Sequence, residues 1–159
     1  MTGDQTVHVS VSYEFGGAEI TRIYAVGQHL LTAPRPSAGR ELKKWLADKG
    51  YPLDSSEGPA LKIRSAGGSI VIEEYYCKGK LHRQDGPAHV RHDSDGATFE
   101  AYYRDGKLHR DGGPATINRR ADRSTMKEYY QGGELHREDG PAVIARKADG
   151  STMYAAVFP

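Results

Sequence analysis

Short runs in which apolar and polar residues alternate fill the second half of the chain. The first run of each copy begins with the alanine of a Pro-Ala step. The third residue of each run is β-branched while its neighbours vary, as at Val90, Ile117 and Ile144. Such alternation is typical of a strand with one buried and one solvated face. A second run follows after a turn, and its first and fifth residues are large and apolar or aromatic. We therefore predict paired strands with a core that contains Ile72, Tyr76, Phe99, Tyr103, Met126, Tyr130, Met153 and Val157.

These strands belong to an internal repeat with a period of 27 residues. Each copy carries a Tyr-Tyr pair, then Leu-His-Arg, then Gly-Pro-Ala. Turns such as Asp95-Gly96 join the two strands of a copy into a hairpin. A worn earlier copy, offset by one residue, has Leu53-Asp54-Ser55-Ser56 in place of Leu-His-Arg. The last half-copy, residues 151–159, is expected to cap the stack, since terminal repeats are usually modified.

The first fifty residues follow a different pattern. Val7, Val9, Val11 and Tyr13 alternate with polar residues before Gly16-Gly17, which predicts a β-hairpin. After Pro34-Arg35-Pro36, Ser37 can cap a helix over residues 38–49, and Gly50 ends it. Trp45 on this helix is expected to cover the open end of the repeat sheet.

The predicted fold is mainly β, with stacked hairpin repeats in a curled antiparallel sheet plus an N-terminal hairpin and one short α-helix, so α+β overall. We divide the sequence into a hairpin-and-helix cap and a repeat array. The cap spans 1–50 and the array 51–159, with copies at 51–74, 75–101, 102–128 and 129–159.

Composition excludes several classes of protein. With 22 Lys and Arg against 21 Asp and Glu, the net charge does not indicate nucleic-acid contact, although local contact is left open. The chain shows neither a signal-peptide pattern nor an apolar stretch of membrane-spanning length, which predicts a cytoplasmic protein. The single Cys77 cannot form an internal disulfide, and its equivalents Arg104 and Gln131 indicate a surface position and not an active thiol.

The repeated His-Arg-acid cluster is best explained as part of the fold. An enzyme needs its catalytic group once, whereas a stack needs its structural groups in every layer. Each His can donate to a carbonyl or carboxylate and pin the turn, and each Arg can pair with the acid beside it or in the next layer. Asp111 is expected to replace the missing acid at Gly112. Histidines two strands apart lie ~9 to 10 Å from one another, too far to share one zinc ion. We therefore predict no catalytic residue, metal or cofactor.

A second interpretation makes the cluster a ligand site. Arg binds phosphate in a bidentate manner and His can add a donor, so the pairs could sequester a phosphate or nucleotide signal. A hydrolase or nuclease that uses the His-Arg-Asp clusters is the third class. The residues of the ligand alternative are His82, Arg83, His109, Arg110, His136 and Arg137.

Two features predict partner contact. Four cations surround one hairpin turn and form the cationic turn: Arg119, Arg120, Arg123 and Lys127. Such a cluster is either a solvated loop or a docking point for an acidic surface. The first tyrosine of each pair points away from the predicted core, for recognition or to cover a second small core. These tyrosines are Tyr75, Tyr102 and Tyr129, and Arg104 beside them completes the predicted contact set.

The motif Tyr-Tyr-x-x-Gly-x-Leu-His-Arg-x-Asp-Gly-Pro-Ala, over about residues 69–159, resembles the HRxDGPA-type repeats of phage and bacterial proteins and is distantly similar to MORN repeats. The resemblance implies a scaffold or partner-binding protein without catalytic residues. Its viral setting implies an inhibitor of a bacterial defence complex, anti-CRISPR-like, in the host cytoplasm. The expected partner is a host protein or ribonucleoprotein complex, with a scaffold or immunity protein as the alternative. Exposed terminal strands allow either a monomer or a homodimer.

Overall fold

The structure is a computed structural model of the 159-residue chain. It describes residues 7–14, 17–25, 43–44, 48, 53–55, 58–65 and 70–158. Compactness divides the chain into two units, Met1–Lys80 and Leu81–Pro159. The division of the sequence at residue 50 stays a prediction.

The first unit contains a four-stranded run in the order β2-β1-β3-β4. Its strands are β1 (Val7–Glu14), β2 (Gly17–Ala25), β3 (Leu61–Ser65) and β4 (Ile70–Glu74). The predicted N-terminal hairpin is confirmed, since β1 and β2 pair antiparallel. The β1–β3 pair is parallel, which departs from the all-antiparallel prediction. A parallel pair cannot be joined by a tight turn, so β3 does not follow β1 directly as a hairpin partner would.

The main sheet of the second unit has six described strands in sequence order, and every neighbouring pair is antiparallel. They are β7 (His89–Asp93), β8 (Thr98–Ala101), β11 (Thr116–Arg119), β12 (Thr125–Glu128), β15 (Val143–Arg146) and β16 (Thr152–Ala156). The predicted stack of hairpins with a 27-residue period is therefore confirmed. The expected helix lies largely outside the described residues, as does Trp45. Lys43, Lys44 and Asp48 are helical.

Each repeat also contains a short second hairpin, which the strand pattern did not predict. Its strands are β5 (Tyr76–Cys77) with β6 (Lys80–Leu81), β9 (Tyr103–Arg104) with β10 (Lys107–Leu108), and β13 (Tyr130–Gln131) with β14 (Glu134–Leu135). The long strand ends before the first tyrosine of each pair, because the backbone N–H and C=O groups of that tyrosine form hydrogen bonds outside the strand ladder. Tyr102 N–H donates to the Ala115 carbonyl at 2.7 Å, and the Tyr102 carbonyl accepts from His109 N–H at 3.0 Å.

The core differs from the predicted one. It centres on the alanine of each Gly-Pro-Ala step, with Ala60, Ala88 and Ala115 at 0% exposure and Ala142 at 1%. Of the predicted core, Tyr76 is buried and Phe99 and Met126 are half-buried. Met153 and Val157 were predicted wrongly, since they are 55% and 72% exposed.

The register explains why the β-branched residues of the first strand in each copy do not face the same interior as Phe99 of the predicted core. Phe99 lies opposite Asn118, whereas Ile117 lies opposite Glu100 and Lys127. Because paired residues share a face, the β-branched residues and Phe99 point to opposite sides of the sheet. The small alanine allows close approach of the backbone, and a larger residue there would create an overlap.

Candidate functional site

The repeated arginine is a structural residue that makes equivalent contacts in successive repeats. The Arg110 guanidinium lies 3.8 Å from the centre of the Tyr102 ring, and that of Arg137 lies 4.1 Å from the Tyr129 ring. Each arginine also donates from Nη1 to a proline carbonyl, at 3.4 Å for Arg83 to Pro87, 3.2 Å for Arg110 to Pro114 and 3.3 Å for Arg137 to Pro141. For Arg110 and Arg137 the partners are therefore an aromatic ring and a carbonyl, whereas the sequence predicted the acid beside the arginine or one in the next layer.

The glycine of Gly-Pro-Ala leaves room for that arginine. A Cβ atom added to Gly86 would lie 3.1 Å from Cζ of Arg83, and one added to Gly113 would lie 3.2 Å from Nε of Arg110. Both distances are shorter than ordinary van der Waals contact. The guanidinium is thus held between an aromatic ring on one side and a glycine backbone on the other, which explains why Arg and Gly recur together.

The repeated histidine joins one repeat to the next. Nδ1 of His82 accepts the Asp105 N–H at 3.1 Å, and Nδ1 of His109 accepts the Gly132 N–H at 3.2 Å. The leucine before each histidine adds a backbone contact, because Gly106 N–H donates to the Leu81 carbonyl at 2.8 Å. The sequence predicted that each ring donates from one nitrogen to an oxygen and pins its own turn. Nδ1 instead accepts, and the turn it holds belongs to the following repeat. The other nitrogen of His109 does face a carboxylate, since its Nε2 lies 3.2 Å from Asp111 Oδ1.

The worn copy makes the same contacts with different residues. Asp54 Oδ2 accepts the Lys78 N–H at 3.2 Å, as a histidine does elsewhere, and Gly79 N–H donates to the Leu53 carbonyl at 2.9 Å. Ser55 replaces the arginine, and its Oγ accepts the N–H groups of Ala60 and Tyr76 at 3.0 and 2.9 Å. A carboxylate thus replaces an imidazole as acceptor. The Ser55 hydroxyl binds the backbone at the Gly-Pro-Ala step, where an arginine binds it in the other copies.

A surface network surrounds His109. Asp111 accepts from Nη2 of Arg104 at 2.7 Å, and its other oxygen lies 3.2 Å from Nε2 of His109. The hydrogen bond and positive charge of Arg104 hold the pKa of the Asp111 carboxyl below its usual range, with His109 adding to the effect. Since Nδ1 of His109 accepts the Gly132 N–H, its proton lies on Nε2 and faces this carboxylate. Asp111 therefore orients the ring.

Two equivalent grooves run between successive repeats. The first, of about 720 Å³, is lined by His82, Arg83, Asp85, Tyr102, Arg104, Asp105, His109 and Asp111 among others. The second, of about 620 Å³, is lined by Arg110, Tyr129, Gln131, His136, Arg137, Glu138 and Asp139 among others. Both bring together the residues of the ligand alternative. They also place carboxylates beside each arginine, which opposes anion binding. In the described part of the chain, no group of three or more His, Cys, Asp or Glu side chains is arranged to hold a metal ion.

The four cations of the cationic turn are not brought to one surface. Arg119 pairs with Glu100 at 2.8 Å, and the register places Lys127 on that same face, opposite Ile117. Arg120 lies toward the other face, where it lines a cavity of about 510 Å³ with Phe99 and Asn118. Arg123 occupies the turn itself, with a positive φ of 69°. The cluster is therefore divided between two faces and a turn.

The predicted tyrosines are half-buried in the structure. Tyr102 and Tyr129 are stacked against the arginines of their own repeats, so neither presents a free ring face on that side. Tyr75 is also half-buried and engaged in contacts. These tyrosines thus belong to the frame of the repeat more than to an open recognition surface.

The tips of the short hairpins, residues 77–80, 104–107 and 131–134, include exposed positions that vary between copies. Cys77, Lys78, Arg104, Asp105 and Gln131 are all exposed there. The Asp105-Gly106 and Gly132-Gly133 pairs were the sequence signal for these turns, since two residues with positive φ form a type I′ hairpin. Other variable positions, Thr116 and Val143, are buried in the sheet and cannot meet a partner.

The sequence matches no protein-family model and no curated protein. None of the described helical residues belongs to a helix long and apolar enough to cross a bilayer.

Proposed function

We propose that this chain is a non-enzymatic binding protein whose stacked repeats present the short-hairpin tips to one macromolecular partner. One observation carries the proposal: the recurring Arg and His side chains are used in the frame, while the tips expose residues that differ between copies. In such a protein the recurring residues stabilise the fold, and the variable exposed side chains are available for recognition. It binds at small entropic cost, because the contacting loops are already ordered.

The charges of the first two tips favour a partner with an acidic surface. The first tip carries Lys78 and Lys80, and the second carries Arg104 and Lys107 beside Asp105. All of these side chains are exposed. Rim charges of this kind act chiefly on the rate and specificity of association. A host protein or a ribonucleoprotein complex with an acidic protein surface fits this arrangement.

We further propose, from the resemblance to phage-type repeats, that the partner is a bacterial defence complex and that binding blocks it by occupancy. A CRISPR effector is the specific case. The test is a plasmid-interference assay in cells with an active effector, with and without this chain. Restored plasmid survival supports the proposal, and unchanged interference in the presence of the folded chain across several effector types contradicts this specific case.

Two triple variants locate the contact surface. Lys80→Glu, Arg104→Glu and Lys107→Glu together reverse the charge of two tips, whereas Arg119→Ala, Arg120→Ala and Arg123→Ala together remove the cationic turn. We expect the tip variant to lose binding, with a melting temperature within a few degrees of wild type because all three side chains are exposed. If only the cationic-turn variant loses binding, the turn is the contact. If neither does, both surfaces are excluded.

The grooves favour a second candidate, a small-ligand or nucleotide sponge, because each groove contains a His-Arg pair. The test is titration calorimetry with inorganic phosphate and with cyclic nucleotides. Heat of binding that disappears in a folded Arg83→Lys variant supports the sponge. If no heat of binding is measured at millimolar ligand, the sponge hypothesis is rejected and the macromolecular-binding hypothesis remains.

A further inference from the structure

The sheet of the second unit ends in an apolar edge strand. β16 is the last strand in the order and pairs with β15 alone. The large hydrophobic side chains that are exposed in the described part of the chain all lie in or directly after it: Met153 at 55%, Tyr154 at 55%, Val157 at 72% and Phe158 at 38%. Their counterparts on inner strands, such as Phe99 and Met126, are half-buried. The outer surface of this strand is therefore apolar, whereas the outer surface of a capping repeat is usually polar.

This strand also lacks most of the features that normally prevent edge pairing. Edge strands are usually protected by charged residues, proline or bulges that twist the edge away. Residues 151–158, Ser-Thr-Met-Tyr-Ala-Ala-Val-Phe, include neither a charge nor a proline. The register shift between β15 and β16 lies at the turn end and leaves Met153 of β16 without a partner residue in β15, whereas Tyr154 to Ala156 pair regularly. From Tyr154 to Ala156 the outer edge is thus regular, and its backbone donors and acceptors have no neighbour in this sheet.

We propose that β16 pairs antiparallel with β16 of a second copy of this chain, so that two sheets join about a twofold axis. The residue pattern is self-complementary in a register centred on Ala155. In that register Met153 lies opposite Val157, Tyr154 opposite Ala156 and Thr152 opposite Phe158. Large residues meet small or apolar ones and no charges are opposed, as stable cross-strand pairs require. All four exposed hydrophobic side chains gain a neighbour.

A second copy fits this edge better than an unrelated strand, for two reasons. Identical strands supply the same apolar residues on both sides of the joint, and a twofold pairing closes the interface so that no open filament forms. The joint is one strand wide and therefore smaller than the ~1,200 Å² that stable interfaces bury. The dimer is consequently weak and depends on protein concentration.

Sedimentation equilibrium of the wild-type chain over a hundredfold range of concentration tests the proposal. The average mass should rise from 17.5 kDa toward twice that value. The Met153→Lys, Val157→Lys double variant should remain at the lower mass, since two cations per copy would be opposed in the joint. Gln131→Lys with Glu134→Lys, at exposed tip positions, is the matched control and should dimerise as wild type does. A wild-type mass of 17.5 kDa at every concentration overturns the proposal.

Disulfide trapping tests the register and does not depend on the lysine variant being folded. In a Cys77→Ser background, Ala155→Cys places two thiols directly opposite each other, where cross-strand Cβ atoms lie ~4.5 to 5.5 Å apart and Cα atoms are within disulfide range. Mild oxidation should convert most of the chain to a covalent dimer. Glu134→Cys in the same background should remain largely monomeric. Equal trapping in both variants, or none at Ala155→Cys while wild type dimerises, overturns the pairing.

Discussion

At the scale of the residue, one arginine stabilises each repeat by connecting its tyrosine with its Gly-Pro-Ala step. Arg110 makes three contacts at once: it stacks on Tyr102, donates to the Pro114 carbonyl and lies against Gly113. A half-buried guanidinium over an aromatic ring contributes about 0.5 to 2 kcal/mol, and its hydrogen bond contributes about 1 kcal/mol more. A side chain with this many structural partners is poorly placed to hold a phosphate as well.

Removal of this arginine should therefore reduce stability. We expect Arg110→Ala to lower the free energy of unfolding by about 2 kcal/mol, measured by urea denaturation, because stacking and a hydrogen bond are both lost. Arg104→Ala is the control, since it breaks only an exposed ion pair worth about 1 kcal/mol or less. Equal losses of unfolding free energy in the two variants would contradict the structural role assigned to Arg110.

The turn at Arg123 offers a second test, because a residue other than glycine holds a left-handed conformation there. The equivalent turns have Gly96 at a φ of 86° and Gly150 at 83°, whereas Arg123 has 69°. A side chain in this region costs about 1 to 2 kcal/mol. We expect Arg123→Gly to melt several degrees above Arg123→Ala, which removes the same charge but keeps the strain. Equal melting temperatures would show that the turn relaxes without cost.

At the scale of the element, the short hairpin and the histidine beneath it form the joint between repeats. The imidazole of His109 holds the Gly132 turn by a side-chain contact, and the Leu108 carbonyl accepts Gly133 N–H at 2.9 Å. The worn copy keeps this geometry with Asp54 as acceptor. What the joint requires is an acceptor atom at one position, and histidine is one of the side chains that provide it.

The repeat contains a matched control for this joint. His109→Ala should destabilise the chain by about 1 kcal/mol, because the Gly132 N–H loses its acceptor. His136 is exposed, and the described residues show no equivalent hairpin beyond it, so His136→Ala should change stability by less than about 0.5 kcal/mol. His109→Asn should recover part of the loss, since its amide oxygen can accept as Asp54 does. Chemical denaturation of the three variants provides the comparison, and equal effects at both histidines would contradict the joint.

The alternating pattern and the 27-residue period were sufficient to predict the stacked hairpins, because strand periodicity and turn chemistry are local properties. They could not predict which side of each strand is covered, since that depends on register between strands. The pattern indicated a buried face at both Phe99 and Ile117, although pairing places these two residues on opposite faces of the sheet. The short hairpins could have been found from Asp105-Gly106 and Gly132-Gly133, whereas the stacking of Arg110 on Tyr102 depends on how that hairpin folds back.

At the scale of the molecule, the second unit is a one-dimensional stack in which each repeat contacts its neighbours along the chain. Strand order follows sequence order from β7 to β16, and the backbone contacts of the short hairpins connect one repeat with the next. Stability in such an array is approximately a sum of repeat and interface terms. A local defect should therefore have effects that depend on its position in the stack.

Two equivalent substitutions test this expectation. Ala115 and Ala142 occupy the same buried position in neighbouring repeats, at 0% and 1% exposure. Leucine at either position overfills the site, at a cost of about 1 to 3 kcal/mol. Ala142→Leu lies near the open edge, so hydrogen exchange should accelerate in residues 129–158 and remain unchanged in 89–104. Ala115→Leu has neighbours on both sides and should accelerate exchange in both segments. Uniform acceleration of residues 81–158 in both variants would mean that this unit unfolds as one cooperative block.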